Sequence, residues 1–171
     1  MDEKDRGGGD EAQGGTRSEL SGASRDVVHL RYRVAEAYWL ITLGHAQRAA
    51  GEAEASLESY QRSAALHRRL GDPSREALAW QGAGEAYREA GRSDEAAAFL
   101  RRAAASHRDL GDAWHDALAL DALATTLAEA DPGTARQHWA EARRLLAGHD
   151  DPRAARVRAG IERRLADPPT R

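Results

Sequence analysis

A stretch of this chain recurs 40 residues further along. The hexapeptide His-Arg-Arg-Leu-Gly-Asp at 67–72 returns as His-Arg-Asp-Leu-Gly-Asp at 107–112, and 13 of the 29 positions in 44–72 are identical in 84–112. A weaker third copy runs from 113 to 148. A fixed period of about 20–50 residues is typical of proteins built from stacked units, each of which buries its apolar face against its neighbours.

Each copy divides into two predicted helices. Gly71 and Gly111 stand where a helix end favours a left-handed residue, and Asp72 followed by Pro73 is a helix start with the aspartate as N-cap. The sequence therefore predicts an all-α solenoid of three helix pairs, closed by a C-terminal capping helix. The predicted helices are 25–50, 52–70, 73–90, 93–110, 113–130, 133–147 and, as the cap, 152–166.

The two ends of the chain differ from the repeats. Residues 1–24 are polar, rich in Gly and without an apolar period, so we expect a disordered leader there. The repeat domain is expected at 25–166 and a short tail at 167–171. The first 15 residues do not have the composition of a signal peptide, and no apolar run is long enough to predict a membrane span. These features predict a cytoplasmic protein that does not insert into membranes.

Composition argues against several kinds of chemistry. The chain has 25 Lys and Arg against 28 Asp and Glu and no Cys, which disfavours a general nucleic-acid binder, a disulfide scaffold and a thiolate metal site. His-Glu-x-x-His, Walker A and Gly-x-Ser-x-Gly motifs are absent. His67 and His107 occupy equivalent places, but the third copy has Leu146 there, which indicates packing. We therefore expect no catalytic residue, no cofactor and no metal site.

The spacing of large and small residues in the second copy resembles that of a known family. Trp80, Gly84, Tyr87, Ala96 and Leu100 follow one another as in the tetratricopeptide repeat, and similar spacings in the other copies extend the resemblance over about 37–147. The period of 40 is longer than the common 34. The variant that ends each unit in His-Arg-x-Leu-Gly-Asp is similar to C-terminal arrays of bacterial signal-transduction ATPases and antibiotic-regulatory transcription regulators.

The resemblance implies a non-enzymatic module that binds a protein or peptide in a concave groove lined by the first helix of each repeat. Family positions carried onto this sequence give a candidate groove of Tyr38, Ile41, His45, Arg48, Leu78, Gln81, Glu85, Arg88, Leu118, Asp121 and Thr125. Arg48 and Arg88 are repeat-equivalent and are expected to bind carboxylates of a partner. Reversing both charges is expected to abolish binding without affecting helicity or melting.

Two alternatives to a free-standing peptide-binding module stay open. The chain could be the sensor or dimerisation region of a larger transcription regulator, since the resemblance is to arrays of that kind. It could also be an enzyme, which would require a bound cofactor or metal. Under any of these interpretations the chain could form a homodimer. The Arg-rich segment 151–171 is interpreted as the solvated face of the cap, so direct nucleic-acid binding is not expected.

Overall fold

The computed structural model describes the backbone of residues 10–166 and the side chains of residues 26–166. This part of the chain is helical and contains no strand. The helices are α1 (Asp10–Ala49), α2 (Ala53–Arg69), α3 (Pro73–Glu89), α4 (Ser93–Asp109), α5 (Ala113–Leu127), α6 (Pro132–Leu145) and α7 (Pro152–Ala166), with a 3-10 turn at Leu146–Gly148. Apart from the start of α1, these bounds lie within a few residues of the predicted ones.

The first helix begins earlier than the sequence predicts. The structure has helix from Asp10, whereas we expected the helix to begin at residue 25 after a disordered leader. Segment 10–49 contains no proline, so a helix nucleated by the packed part of α1 can extend towards the N-terminus. The remainder of the predicted leader, 1–9, and the predicted tail, 167–171, lie outside the described residues. The division of the chain at residue 24 stays a prediction.

Glycine and aspartate form the turns between repeats as predicted. Gly71 and Gly111 have φ of +69° and +70°, a conformation that residues with a Cβ rarely adopt. The carboxylates of Asp72 and Asp112 then accept the backbone N–H three residues on, at 3.1 Å in both cases. Two helices of 17 residues and two turns of three residues, as in 73–112, account for the 40-residue period.

Successive helices pack side by side from α1 to α6, and the first helices of neighbouring repeats also touch, α1 with α3 and α3 with α5. The core between them is built from small side chains, mostly alanine, with a few large ones inserted. Tyr60, Leu100 and Leu123 are among the large side chains that solvent barely reaches. The molecule is therefore an all-α repeat solenoid in which the first helices share one side.

The last helix covers the end of the array. Ile161 of α7 is fully buried in the cluster that contains Leu120, Trp139 and Leu146, and Val157 and Leu165 pack at its edge. The exposed side of α7 carries arginines, which agrees with the predicted capping helix. Across residues 10–166, no helix combines the length and apolar character that crossing a bilayer requires.

Candidate functional site

The predicted groove residues lie on one side of the array, and none of them is buried. They belong to α1, α3 and α5, the helices that touch between repeats. Tyr38 and His45 are exposed, and the other nine are partly exposed. By contrast, Ala79 and Ala83 of α3 and Ala119 of α5 are fully buried. We call these eleven residues the first-helix face. Its residues are Tyr38, Ile41, His45, Arg48, Leu78, Gln81, Glu85, Arg88, Leu118, Asp121 and Thr125.

Arg48 connects the first repeat to the second. Its Nη1 lies 2.6 Å from Glu85 Oε2 and 3.0 Å from Glu89 Oε1. Gln81 in turn donates from Nε2 to Glu85 Oε1 at 3.2 Å. The guanidinium expected to bind a partner is therefore already paired within the chain. This pairing could not be predicted from the sequence, because Glu89 lies 41 residues from Arg48 and no local pattern relates them.

A tyrosine lies beneath this ion pair. The Tyr60 hydroxyl and His45 Nδ1 are hydrogen-bonded at 2.8 Å, and the Tyr60 side chain is fully buried. Burial raises the pKa of Tyr60 to about 12, with Glu85 adding to the effect and Arg48 opposing it. Burial also lowers the pKa of His45, and the positive charge of Arg48 lowers it further. Both side chains are therefore held in their neutral forms at neutral pH.

Asp121 is held by partners from the end of the array. Its Oδ1 accepts hydrogen bonds from Trp139 Nε1 at 3.0 Å and from Arg164 Nη1 at 2.8 Å. Burial raises the pKa of Asp121, while Arg164 and the Trp139 hydrogen bond oppose the shift. The negative charge of Asp121 in the third repeat is thus paired with the capping helix. Thr125 bonds the Asp121 carbonyl of its own helix at 2.8 Å.

Arg88 differs from the other charged members of the first-helix face. Its Nε is buried and has no hydrogen-bond partner, and among the described residues its side chain makes no ion pair within 4.0 Å. The residue is nevertheless partly exposed. Its charge reaches Asp121 at longer range and opposes, as a minor cause, the rise in the pKa of that carboxyl that burial produces. Arg88 is the cation of this face that still offers donors to a ligand.

The two repeat-equivalent histidines are buried, as the packing interpretation expected. His67 and His107 are 1% and 0% exposed. Burial lowers the pKa of His107 to about 4, and the charge of the neighbouring His115 contributes. The ring of His115, which no short ligand motif links to His107, stacks on that of His107, with the centroids 5.2 Å apart. The turn between α4 and α5 brings the two together.

Comparison with known families agrees with this architecture. Residues 33–109 match the family described as Tetratricopeptide repeat. This part of the chain carries tetratricopeptide repeats. The match spans most of the packed part of α1 and continues to the end of α4. Tetratricopeptide repeats generally mediate protein–protein interaction, typically bind protein partners and form a non-catalytic fold. A search of curated proteins gives no match.

The third tetratricopeptide-like pair, α5 and α6, follows the matched region and continues its pattern. Asp112 caps α5 as Asp72 caps α3. Trp139 occupies in α6 the position that Leu100 occupies in α4, and both side chains are buried. Its indole nitrogen reaches Asp121 across the pair. The array therefore presents a first-helix face of three helices, although the family match covers two pairs.

Proposed function

We propose that this tetratricopeptide array binds an acidic segment of a partner protein along the first-helix face, with Arg88 as its anchor. The observation that supports the proposal is the unsatisfied hydrogen-bonding capacity of the Arg88 guanidinium. Its Nε is buried without a partner on a face where Arg48 and Asp121 are already paired. A buried donor without a partner is unfavourable, and a carboxylate would relieve it with charge-assisted hydrogen bonds.

The surroundings of Arg88 suit an extended or helical peptide. Leu78 lies nearly three turns of α3, about 15 Å, before Arg88 and Leu118 lies on α5, and both are partly exposed on the first-helix face and offer apolar contact to a longer segment. Arg48 and Glu85 neutralise each other, so they add polarity without net charge. A peptide with one acidic side chain flanked by apolar ones would match this pattern. Because Arg88 is partly exposed, salt should weaken the complex.

Selection from a displayed library of random peptides tests the proposal. Peptides retained by the wild-type protein should be enriched in Asp or Glu flanked by apolar residues. Arg88→Glu should lose them. Arg69→Glu makes the same change of charge at an exposed residue on the second helix of its repeat and should keep them. Selected peptides without acidic residues, or equal retention by Arg88→Glu, would contradict the proposal.

A second candidate function is self-association, and the exposed stripe of α1 favours it. Val28, Tyr32, Ala35 and Trp39 follow one another at steps of four, three and four, which places them on one side of a helix. Val28 is 49% exposed, Tyr32 72% and Trp39 71%. This is the end of the array opposite the capping helix. Two copies could bury these stripes against each other around a two-fold axis.

Light scattering across a range of protein concentrations tests the dimer. The wild-type chain should approach twice its monomer mass of 18.6 kDa, whereas Tyr32→Ser with Trp39→Ser should remain a monomer. Circular dichroism should show the same helicity for both, because neither side chain lies in the core. If the wild-type chain is a monomer at all concentrations, self-association through this stripe is contradicted. Contact with a neighbouring domain of a larger regulator would then be the next interpretation of the stripe.

A further inference from the structure

Three potential metal ligands meet at the turn that joins the second repeat to the third. His107 lies in the last turn of α4, Asp112 caps α5, and His115 lies in the first turn of α5. One donor atom from each lies within 4.8 Å of the other two. Among residues 26–166, no other trio of His, Asp and Glu side chains converges in this way.

The buried histidine of this trio has no partner. His107 is 0% exposed, and neither of its ring nitrogens makes a hydrogen bond. Its Nδ1 lies 4.0 Å from Asp112 Oδ2, too far for a hydrogen bond. A buried imidazole with two unsatisfied nitrogens is unfavourable. The ring faces the carboxylate oxygen that capping does not use.

Asp112 divides its two oxygens between two roles. Oδ1 accepts the backbone N–H of His115 at 3.1 Å and so caps α5. Oδ2 lies 2.7 Å from His115 Nδ1. Oδ2 therefore lies near the Nδ1 atoms of both histidines, 2.7 Å from that of His115 and 4.0 Å from that of His107. The Asp112 and His115 side chains are 29% and 32% exposed, so solvent can reach this part of the turn.

In the equivalent turn of the first repeat, an arginine side chain supplies the positive charge beside the carboxylate. There Asp72 caps α3 in the same way, and His67 occupies the place of His107. Arg75 stands where His115 stands, and its Nη1 lies 2.8 Å from Asp72 Oδ2. A positive group thus occupies this corner beside the carboxylate. At the second turn the arginine is replaced by a histidine, which is a metal ligand when neutral.

We propose that His107, Asp112 and His115 bind a divalent transition-metal ion, with Zn²⁺ the expected ion. Two imidazoles and one carboxylate form a ligand set typical of zinc, and water can complete it from the open side. Bonds of about 2.0–2.1 Å in a tetrahedron separate ligand atoms by about 3.3 Å. The observed separations of 2.7 and 4.0 Å lie on either side of this value.

A bound ion would join α4 to α5 and so link the second and third repeats. The proposal departs from the expectation of no metal site, which rested on the absence of short ligand motifs. The spacing His-x4-Asp-x2-His spans a helix end, a turn and a helix start, so it resembles no motif confined to one helix. Only the reversal of the chain at Gly111 brings the three side chains together.

Calorimetric titration of metal-free protein without a histidine tag tests the site. Wild type should bind one equivalent of Zn²⁺, melt at a higher temperature when loaded, and show no response to Mg²⁺ or Ca²⁺, which prefer oxygen ligands. His115→Arg copies the first turn, and His107→Leu copies Leu146 of the third repeat. Each should lower the affinity by at least about tenfold, since even indirect ligand partners contribute about 10–100-fold.

Two controls make the outcome decisive. His138→Ala removes a histidine of α6 that is outside the trio, and it should leave zinc binding unchanged. Asp112→Asn keeps a good N-cap but loses the carboxylate charge, so it should fold and bind more weakly. The proposal is overturned if wild type takes up no stoichiometric zinc. It is also overturned if both His107→Leu and His115→Arg bind zinc as wild type does.

Discussion

Gly82 of α3 lies directly against the ring of Tyr60 from α2. A Cβ added at position 82 would overlap Tyr60 Cε1, and a Cβ added at Gly44 of α1 would stand 2.8 Å from the same atom, so both would lie well inside van der Waals contact. Tyr60 is therefore held between two helices that can approach only because both lack a side chain at the contact. This packing places the Tyr60 hydroxyl at His45 beneath the first-helix face.

Gly82→Ala is expected to destabilise the protein by roughly 1–3 kcal/mol, because a methyl group must displace a fully buried ring. The gain in helix propensity, about 1 kcal/mol, offsets only part of the strain. Gly160→Ala in α7 is the matched control. The nearest atom to its added Cβ is Arg164 Nη1 at 3.8 Å, so it should stabilise by about 0.5–1 kcal/mol. Urea denaturation of both variants gives the comparison, and equal changes would contradict the packing.

Leu100→Ala is expected to lower the free energy of unfolding by roughly 2–4 kcal/mol, since Leu100 is 0% exposed between α3, α4 and α5. The exposed Arg101 is next to it in α4, and Arg101→Ala should change stability by less than about 0.5 kcal/mol. Arg92 of the same repeat would be unsuitable as a control, because it pairs with Glu95 and stacks on Tyr87. Guanidinium denaturation measures both, and a small effect at Leu100 would mean that the helix faces are misassigned.

Alkaline pH should destabilise the array through Tyr60. Its pKa is raised from 10.0 to about 12, so the folded state favours the neutral phenol. Below pH 10 the phenol is protonated in both the folded and the unfolded chain, so the free energy of unfolding keeps its full value. As pH rises from 10 to 12 the unfolded chain ionises first, and the free energy of unfolding falls by about 2–3 kcal/mol in total. The absorbance of tyrosinate should show one late ionisation that Tyr60→Phe removes. The prediction fails if Tyr60→Phe removes an early ionisation instead.

Arg48→Glu is expected to destabilise the protein by roughly 1 kcal/mol, because it places a carboxylate against Glu85 and Glu89. This differs from the expectation that charge reversal on this face leaves melting unchanged. Combining Arg48→Glu with Glu85→Arg should restore part of the loss, since the pair is then re-formed in the opposite sense. Thermal melting of the single and double variants measures the coupling. Additive losses would show that the pair contributes nothing.

Limited proteolysis should yield a stable core that begins near residue 25. Segment 10–24 is helical in the structure, but Gly14, Gly15 and Gly22 lower its helix propensity. A helix of this length is marginal in water unless it is packed against other elements. Mass spectrometry of the surviving fragment locates the boundary. Strong amide protection between residues 10 and 15 would contradict the predicted domain division.

The helices and turns could be predicted because their signals are local. Asp72, which precedes Pro73, caps its helix by accepting a backbone N–H only three residues further on. Each turn glycine ends a helix through its own positive φ. The 40-residue period then implied stacking, since one helix pair cannot bury its own apolar face. The start of α1 was mislocated because helix extension depends on the packed part of the helix as well as on local composition.

The family resemblance also predicted which residues of α1, α3 and α5 form the first-helix face, but only the tertiary structure decided which of its charges are paired. Arg48 meets Glu89 and Asp121 meets Arg164 across 41 and 43 residues, at distances set by how the repeats stack. Local spacing carries no information about such pairs. The same holds for His107 and His115, which come together only because the chain reverses between α4 and α5. The sequence by itself determined the repeating helices, and the stacking of those helices determined which side chains meet.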